Sequence, residues 1–249
     1  MENRMKKILS KVRRAVDDYN MIDNSDRIAV GVSGGKDSLT LLCALAGLRR
    51  FYPKKFEIIG ISLDMGQPGV SYSGVRELCE EQSVEYVVKK TDIAEVIFDI
   101  RKEKNPCSLC AKMRRGGVND LAVELGCNKV ALGHHNEDVL ETFFLSLFYE
   151  GRLNCFSPVT YLSRRDIHVI RPMIYLPEGE IKGFAREQNL PIVKSNCPMD
   201  GKSKRQYMKD FINQKTKEDK FFKTKIMHAL SEGLPNWKKG GEALIEKND

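Results

Sequence analysis

The 249-residue sequence contains no run of 18 apolar residues, no low-complexity stretch and no internal repeat. The first absence excludes a helix that crosses a membrane, and the other two exclude solenoid and disordered classes. The opening segment, MENRMKKILSKVRRAVDDYN, has no apolar core of the kind a secretion signal needs. A soluble, cytoplasmic protein with no membrane partner is therefore expected. Paired cysteines are also missing. Seven is an odd number, and Cys43, Cys79, Cys127, Cys155 and Cys197 stand alone in sequence, which argues against a disulfide framework. Cys107 and Cys110 form a C-x-x-C without the second such pair that a structural zinc site normally brings. Finally, the phosphate loop of the Walker A type is absent: the stretch IAVGVSGGKDSLTLL would need glycine at Val30 and a hydroxyl at Asp37.

With 41% hydrophobic residues, the chain can bury a substantial core. Its net charge of +7 is unevenly placed. Residues 1–17 carry six Lys/Arg against two acids, and residues 202–225 carry nine against three, so the remainder is mildly acidic. Clustered cations of this kind suit a polyanion such as RNA, although charge runs are more often solvated helix faces.

Apolar runs alternate with stretches of helical period. RIAVGVS, FEIIGISLD, EYVVKK, KVALG and IHVIRPM read as strands, and a further strand is expected in LPIVKSNC. Helices are expected in KDSLTLLCALAGLRR, SYSGVRELCEEQS, NPCSLCAKMRRGGVNDLAVELG, NEDVLETFFLSLFYEG and EGEIKGFAREQ, with Asn105 capping the third of these and Pro106 in its first turn. This alternation predicts an α/β fold, a doubly wound parallel sheet covered on both faces. Three regions are expected: a basic helix over 1–24, the α/β unit over 25–200, and a basic helical extension over 201–249. In KSKRQYMKDFINQ, Tyr207, Met208, Phe211 and Ile212 share one face, which suits packing on the core or self-association.

Ligands of such sheets bind beyond the carboxyl ends of the strands, here VSGGKDS, SLDMGQPG and LGHHNED. In the first, Ser33, Gly34 and Gly35 bring backbone N–H groups and a helix N-terminus onto an anion. Lys36 adds a mobile cation, and Ser33 and Ser38 add hydroxyls. Asp37 cannot meet a phosphate directly, so it either holds a metal ion or braces the loop. His134 and His135 are of a type more often used in packing or capping than in catalysis. Cys107 and Cys110 share one face of a first helical turn, a position that favours thiolates. Inert thiols, half of a metal site and a redox pair all remain open on spacing alone.

SGGKDS resembles the PP-loop of the ATP pyrophosphatases, which split ATP between its α- and β-phosphates. GHHNED is similar to that family's second motif, with Glu137-Asp138 where the family usually has Asp-Asp, and Asp138 the better match. SGGKDS, LDMGQPG, PCSLCAKMRRG, ALGHHNEDVLETFF, VIRPMIY and NCPMDGKSKRQ follow the order of the tRNA 2-thiocytidine synthetase family, covering roughly residues 25–214.

That resemblance implies ATP-dependent tRNA thiolation, with the C2 oxygen of a pyrimidine, cytidine by preference, adenylated and then replaced by sulfur delivered through a [4Fe-4S] cluster. It implies an ATP site of Val32, Ser33, Gly34, Gly35, Lys36, Asp37, Ser38, Asp64, Gly133 and Asp138, with Mg2+, and catalytic roles for Lys36, Asp37 and Asp138. Cys107, Cys110 and Cys197 would hold the cluster. Arg114, Arg115, Lys204 and Arg205 would contact tRNA. Sulfide or a cysteine desulfurase would supply sulfur, and a homodimer is implied. The rival readings are a lysidine-type ligase, which needs no cysteine triad, and a non-enzymatic nucleotide- and RNA-binding metal protein.

Overall fold

The computed structural model describes residues 2–66, 69–101, 106–193, 204–241 and 243–246. Helix α1 (Glu2–Asp18) leads into β1 (Asp26–Gly31), α2 (Lys36–Arg49), β2 (Phe56–Asp64), α3 (Ser73–Glu81) and β3 (Glu85–Lys90). A single turn α4 (Ile93–Glu95) and a π-turn follow, then α5 (Pro106–Glu124), β4 (Lys129–Ala131) and α6 (Asn136–Leu145), which ends in a second π-turn. The chain continues through β5 (Val159–Leu162), β6 (Ile167–Ile170), α7 (Glu178–Glu187), α8 (Lys204–Glu218), α9 (Phe222–Gly233) and β7 (Leu244–Glu246).

The seven strands form one sheet in the order β3-β2-β1-β4-β6-β5-β7. The first five run parallel, β5 is antiparallel to β6, and β7 lies parallel to β5. Both faces of the sheet are buried because strand side chains alternate. Ile28, Val30, Ile58, Ala131 and Ile170 enter one apolar cluster with α1, α2 and α7, whereas Ala29, Ile59, Ile61, Val130 and Val169 enter another with α5. The doubly wound architecture expected from the alternating pattern is therefore present.

The basic first helix contributes to the core. Ile8, Val12, Ala15 and Val16 recur at helical spacing and are fully buried. On its outer side Arg4 pairs with Glu187 at 2.8 Å and Lys11 with Glu180 at 2.7 Å, so part of its charge is spent inside the molecule. On α8, Met208 and Ile212 are buried against Leu140 and Phe144 of α6, and Phe211 packs beside them. Tyr207 departs from the expected apolar face and stays 61% exposed.

One expected strand is not formed in its described part. Residues 190–193 of LPIVKSNC are irregular, because Pro191 offers no N–H to a ladder and Val193 sends its own to the Gly34 carbonyl at 3.0 Å. The remainder of that segment, with Cys197, lies outside the described residues, as does Asn105. Among the described residues no helix is long and apolar enough to cross a membrane.

Candidate active site

The glycine loop leaves β1 at its carboxyl end. Val32 is tied to the neighbouring strand, its N–H to the Ile61 carbonyl at 2.8 Å. Gly34 then takes φ of +80°, a left-handed conformation that glycine adopts without steric cost. A Cβ at this position would stand 2.6 Å from the Val193 Cβ. The two serines brace the turn: Ser38 Oγ donates to the Gly35 carbonyl at 2.9 Å and accepts the Ser33 N–H at 3.1 Å. Helix α2 starts at Lys36, so its first-turn N–H groups, which have no partner within the helix, face the space above the loop. Gly34→Ala combines a left-handed penalty of about 1–2 kcal/mol with this collision. We expect MgATP affinity to fall by about tenfold, readable by calorimetric titration, and Val193→Ala to restore only part of it.

The second motif closes on the first. A Cβ on Gly133 would lie 3.1 Å from both the Asp37 carbonyl carbon and the Ser38 nitrogen, so any side chain here would press the two backbones a few tenths of an ångström apart. Asp138 accepts the His135 N–H at 2.9 Å and thereby caps α6. The His135 ring is buried among three carboxylates, at 3.7 Å from Asp37, 3.4 Å from Glu137 and 3.4 Å from Asp138. Burial works against its charge, but those neighbours outweigh it and raise its pKa. His134 is the opposite case. Burial, reinforced by Arg171 and Arg205, pushes it down to about 3, and its ring stacks on Phe156 at 4.8 Å. It is a neutral packing group.

Lys36 is held by two carboxylates, Asp37 at 3.0 Å and Glu178 at 3.3 Å. Its ammonium is partly desolvated, yet Asp37 and Glu178 raise its pKa. The other Asp37 oxygen, Oδ1, is buried and has no hydrogen-bond partner. Glu178 opens α7 and also takes Lys209 at 2.9 Å and Lys182 at 3.1 Å. Its N–H donates to Glu137 at 2.8 Å, and Glu137 in turn takes Lys223 at 2.7 Å. Burial alone would raise both carboxyls, but these lysines and hydrogen bonds bring each down to about 2. Glu137 and Glu178 were not expected as site residues. Glu137 fills the first place of the acidic pair in GHHNED, whereas Glu178 lies in neither motif; beyond His135 and Lys182, their charged partners come from α2, α8 and α9.

Arg205 reaches Asp138 at 3.0 Å, Glu141 at 3.6 Å and the Thr142 hydroxyl at 3.3 Å. Glu141 is 4% exposed, and burial, with Asp138 adding to it against the opposing Arg205, pushes its carboxyl up to about 7. The folded protein thus holds this proton more tightly than the unfolded chain. Stability linked to Glu141 is full below the unfolded value and is lost as pH rises towards 7. Glu141→Gln is expected to raise Tm at pH 8 by about 2–4 °C and to leave it unchanged near pH 4, as calorimetry at the two pH values would show.

Cys107 and Cys110 lie on the first turn of α5, whose N-terminus sits at the carboxyl edge of the sheet. Cys107 is exposed and Cys110 half-buried. Cys110 and Met113 pack with Leu63 and Met65, at the end of β2. On that same strand end Asp64 accepts the Gly66 N–H at 3.0 Å. Arg114 and Arg115 are exposed one turn further along α5. Lys204 lies with its ammonium 4.3 Å from the Tyr149 ring centre. Among the described residues no three His, Cys, Asp or Glu side chains are grouped to hold a metal ion.

A model of the PP-loop domain matches residues 2–216. The tRNA-cytidine(32) 2-sulfurtransferase of Geobacter sulfurreducens is 40% identical, over 94% of this chain and 92% of its own. Its counterpart in Geobacter metallireducens is 39% identical with the same coverage. Among solved structures, the U34-tRNA thiolase NcsA from Methanococcus maripaludis, with its [4Fe-4S] cluster, superposes with a TM-score of 0.76 and 26% identity. That match covers 98% of this chain and 85% of the thiolase.

Proposed function

The chain belongs to the PP-loop family and, within it, to the tRNA sulfurtransferases, and on that premise we propose that it converts cytidine 32 of tRNA to 2-thiocytidine at the expense of ATP. The relatives' substrate supplies the base and its position. The observation that carries the mechanism is the closure of the two motifs on each other: Gly133 presses on Asp37–Ser38, and Asp37 Oδ1 is buried without a hydrogen bond, with the His135 ring 3.7 Å away.

A pyrimidine carbonyl oxygen is a poor leaving group. In the proposed first step the C2 oxygen attacks the α-phosphorus, the bond from that phosphorus to the β-bridging oxygen breaks, and pyrophosphate leaves. Val32–Ser38, with Asp64 and Gly133, form the ATP site. The N–H groups at the start of α2 and the Lys36 ammonium meet the charge that develops on the departing pyrophosphate. Magnesium commonly takes one or two carboxylates together with substrate phosphates. Asp37, through the oxygen that accepts no hydrogen bond, and Asp138 fit that demand. In the second step sulfide bonds to C2, the C2–O bond breaks and AMP departs.

Two thiols on one helical turn, Cys107 and Cys110, fit a soft metal centre. Cys107, Cys110 and Cys197 would hold a [4Fe-4S] cluster, which when bound supplies an iron able to carry sulfide. Sulfide itself, or a cysteine desulfurase, would feed it. Arg114, Arg115, Lys204 and Arg205 are the proposed tRNA contacts, acting on a homodimer. Each of Arg114→Ala and Arg115→Ala is expected to weaken all tRNAs alike and to lower the salt slope of binding by about 1, as filter binding over a KCl series would show.

The test is anaerobic purification with iron and sulfide analysis, then incubation with tRNA, ATP, magnesium and sulfide. AMP, pyrophosphate and 2-thiocytidine, the last identified by nucleoside mass spectrometry, are expected in equal amounts. AMP formed without thiolated nucleoside would instead indicate a ligase that attacks with an amine. Absence of AMP and pyrophosphate would leave only a binding protein.

A further inference from the structure

We propose that Glu178 is a positioning residue of the pyrophosphate site, which clamps the Lys36 ammonium between itself and Asp37. The inference rests on the ATP-site reading above and adds a residue outside either nucleotide motif. A lysine is a point charge on a flexible four-carbon stem, so its position must be imposed from outside. Asp37, its chain neighbour, restrains it from one side at 3.0 Å. Glu178 adds a second restraint at 3.3 Å, from a different helix.

Glu178 is itself immobilised. It is 8% exposed, it is bound by Lys182 and Lys209, and its N–H is fixed on the buried carboxylate of Glu137. Glu137 is anchored by Lys223. Ion pairs and one backbone hydrogen bond therefore connect α9, by way of Glu137, and α8 to the start of α7 and the loop lysine. Exposed ion pairs contribute little, but a desolvated carboxylate with a fixed backbone can hold a charge in one place before substrate arrives. The order of the ion pairs assigns Glu178 a part in transition-state stabilisation rather than in binding. Substrate phosphate would find the ammonium already aimed, and loss of the clamp would lower the fraction of productive encounters.

The test is a double-mutant cycle in AMP formation with tRNA. Glu178→Gln is expected to lower kcat by about tenfold with KM for MgATP changed by less than about threefold. In a Lys36→Met background the same change is expected to cost less than about twofold, because the residue through which Glu178 acts is gone. Glu178→Asp, which keeps the charge, should recover part of the rate. Lys54→Ala, which removes an ion pair with Asp23 at the amino edge of the sheet, away from the loop, serves as a control with wild-type turnover. Equal losses from Glu178→Gln in both backgrounds would show a merely structural role and overturn the proposal, as would no loss at all. A wild-type protein that forms no AMP would refute the underlying reaction instead. In that event the four proteins of the cycle, titrated with inorganic pyrophosphate, the departing group itself, still decide the matter: Glu178→Gln is expected to weaken its binding only where Lys36 is present, and no loss, or an equal loss in both backgrounds, overturns the clamp.

Discussion

Serine at Cys107 or at Cys110 is expected to reduce tRNA thiolation by about 100-fold or more, equivalent to ~2.7 kcal/mol in the barrier, while MgATP affinity moves by less than about threefold. The asymmetry follows from placement. Both thiols belong to the first turn of α5 and pack towards the end of β2, whereas the pyrophosphate loop is built by β1, α2 and the turn before α6. A serine hydroxyl keeps the shape of the side chain but is a hard, weakly acidic donor that does not replace a thiolate on iron. Cys107 is exposed, so its substitution leaves no cavity. Iron content after anaerobic reconstitution, thiolated nucleoside by mass spectrometry and ATP affinity by calorimetry read the three quantities separately. Full thiolation in both variants would refute sulfur transfer by way of these cysteines.

Lys36→Met carries the second large effect, an expected loss of about 100-fold in kcat for pyrophosphate release, comparable to removing one donor from an oxyanion site. The substitution keeps the apolar stem and deletes only the charge. The fold should survive it, because Glu178 retains Lys182 and Lys209 and Asp37 faces a buried, positively inclined His135. Ground-state binding is expected to weaken far less, since the first-turn N–H groups of α2 still meet the phosphates. Pre-steady-state AMP formation across a range of ATP concentrations separates the two. An unchanged kcat would exclude Lys36 from the chemical step.

The readable part of this molecule consists of what is contiguous in sequence. An apolar strand followed by glycines and an apolar helix announces its own geometry, so the loop of residues 32–38, the turn of residues 133–138 and the presence of the parallel strands were all legible. Lys36, Asp37 and Asp138 sit together because each follows a strand end in one sheet. The ion-pair roles of Glu178 and Glu137 were illegible for the converse reason. Their significance lies in Lys36, Lys209 and Lys223, contributed by three other helices, and charged residues on a helix ordinarily signal a solvated face. Strands β5 and β7 were missed because they are four and three residues long and lie at the irregular end of the sheet. The segment at 190–193 misled in the other direction: its apolar residues suit a strand, but its one N–H to Gly34 serves the loop.

The tail of the chain carries a consequence for measurement. Trp237 is fully buried, its ring edge-on to Tyr19 at 6.2 Å and its indole N–H on the Phe156 carbonyl at 3.1 Å. It is the sole tryptophan of the sequence. Intrinsic fluorescence excited at the indole band therefore reports a single event, the seating of the C-terminal segment beside the first helix. A red-shifted emission that precedes loss of helical dichroism on heating would mean that this seam opens before the sheet does.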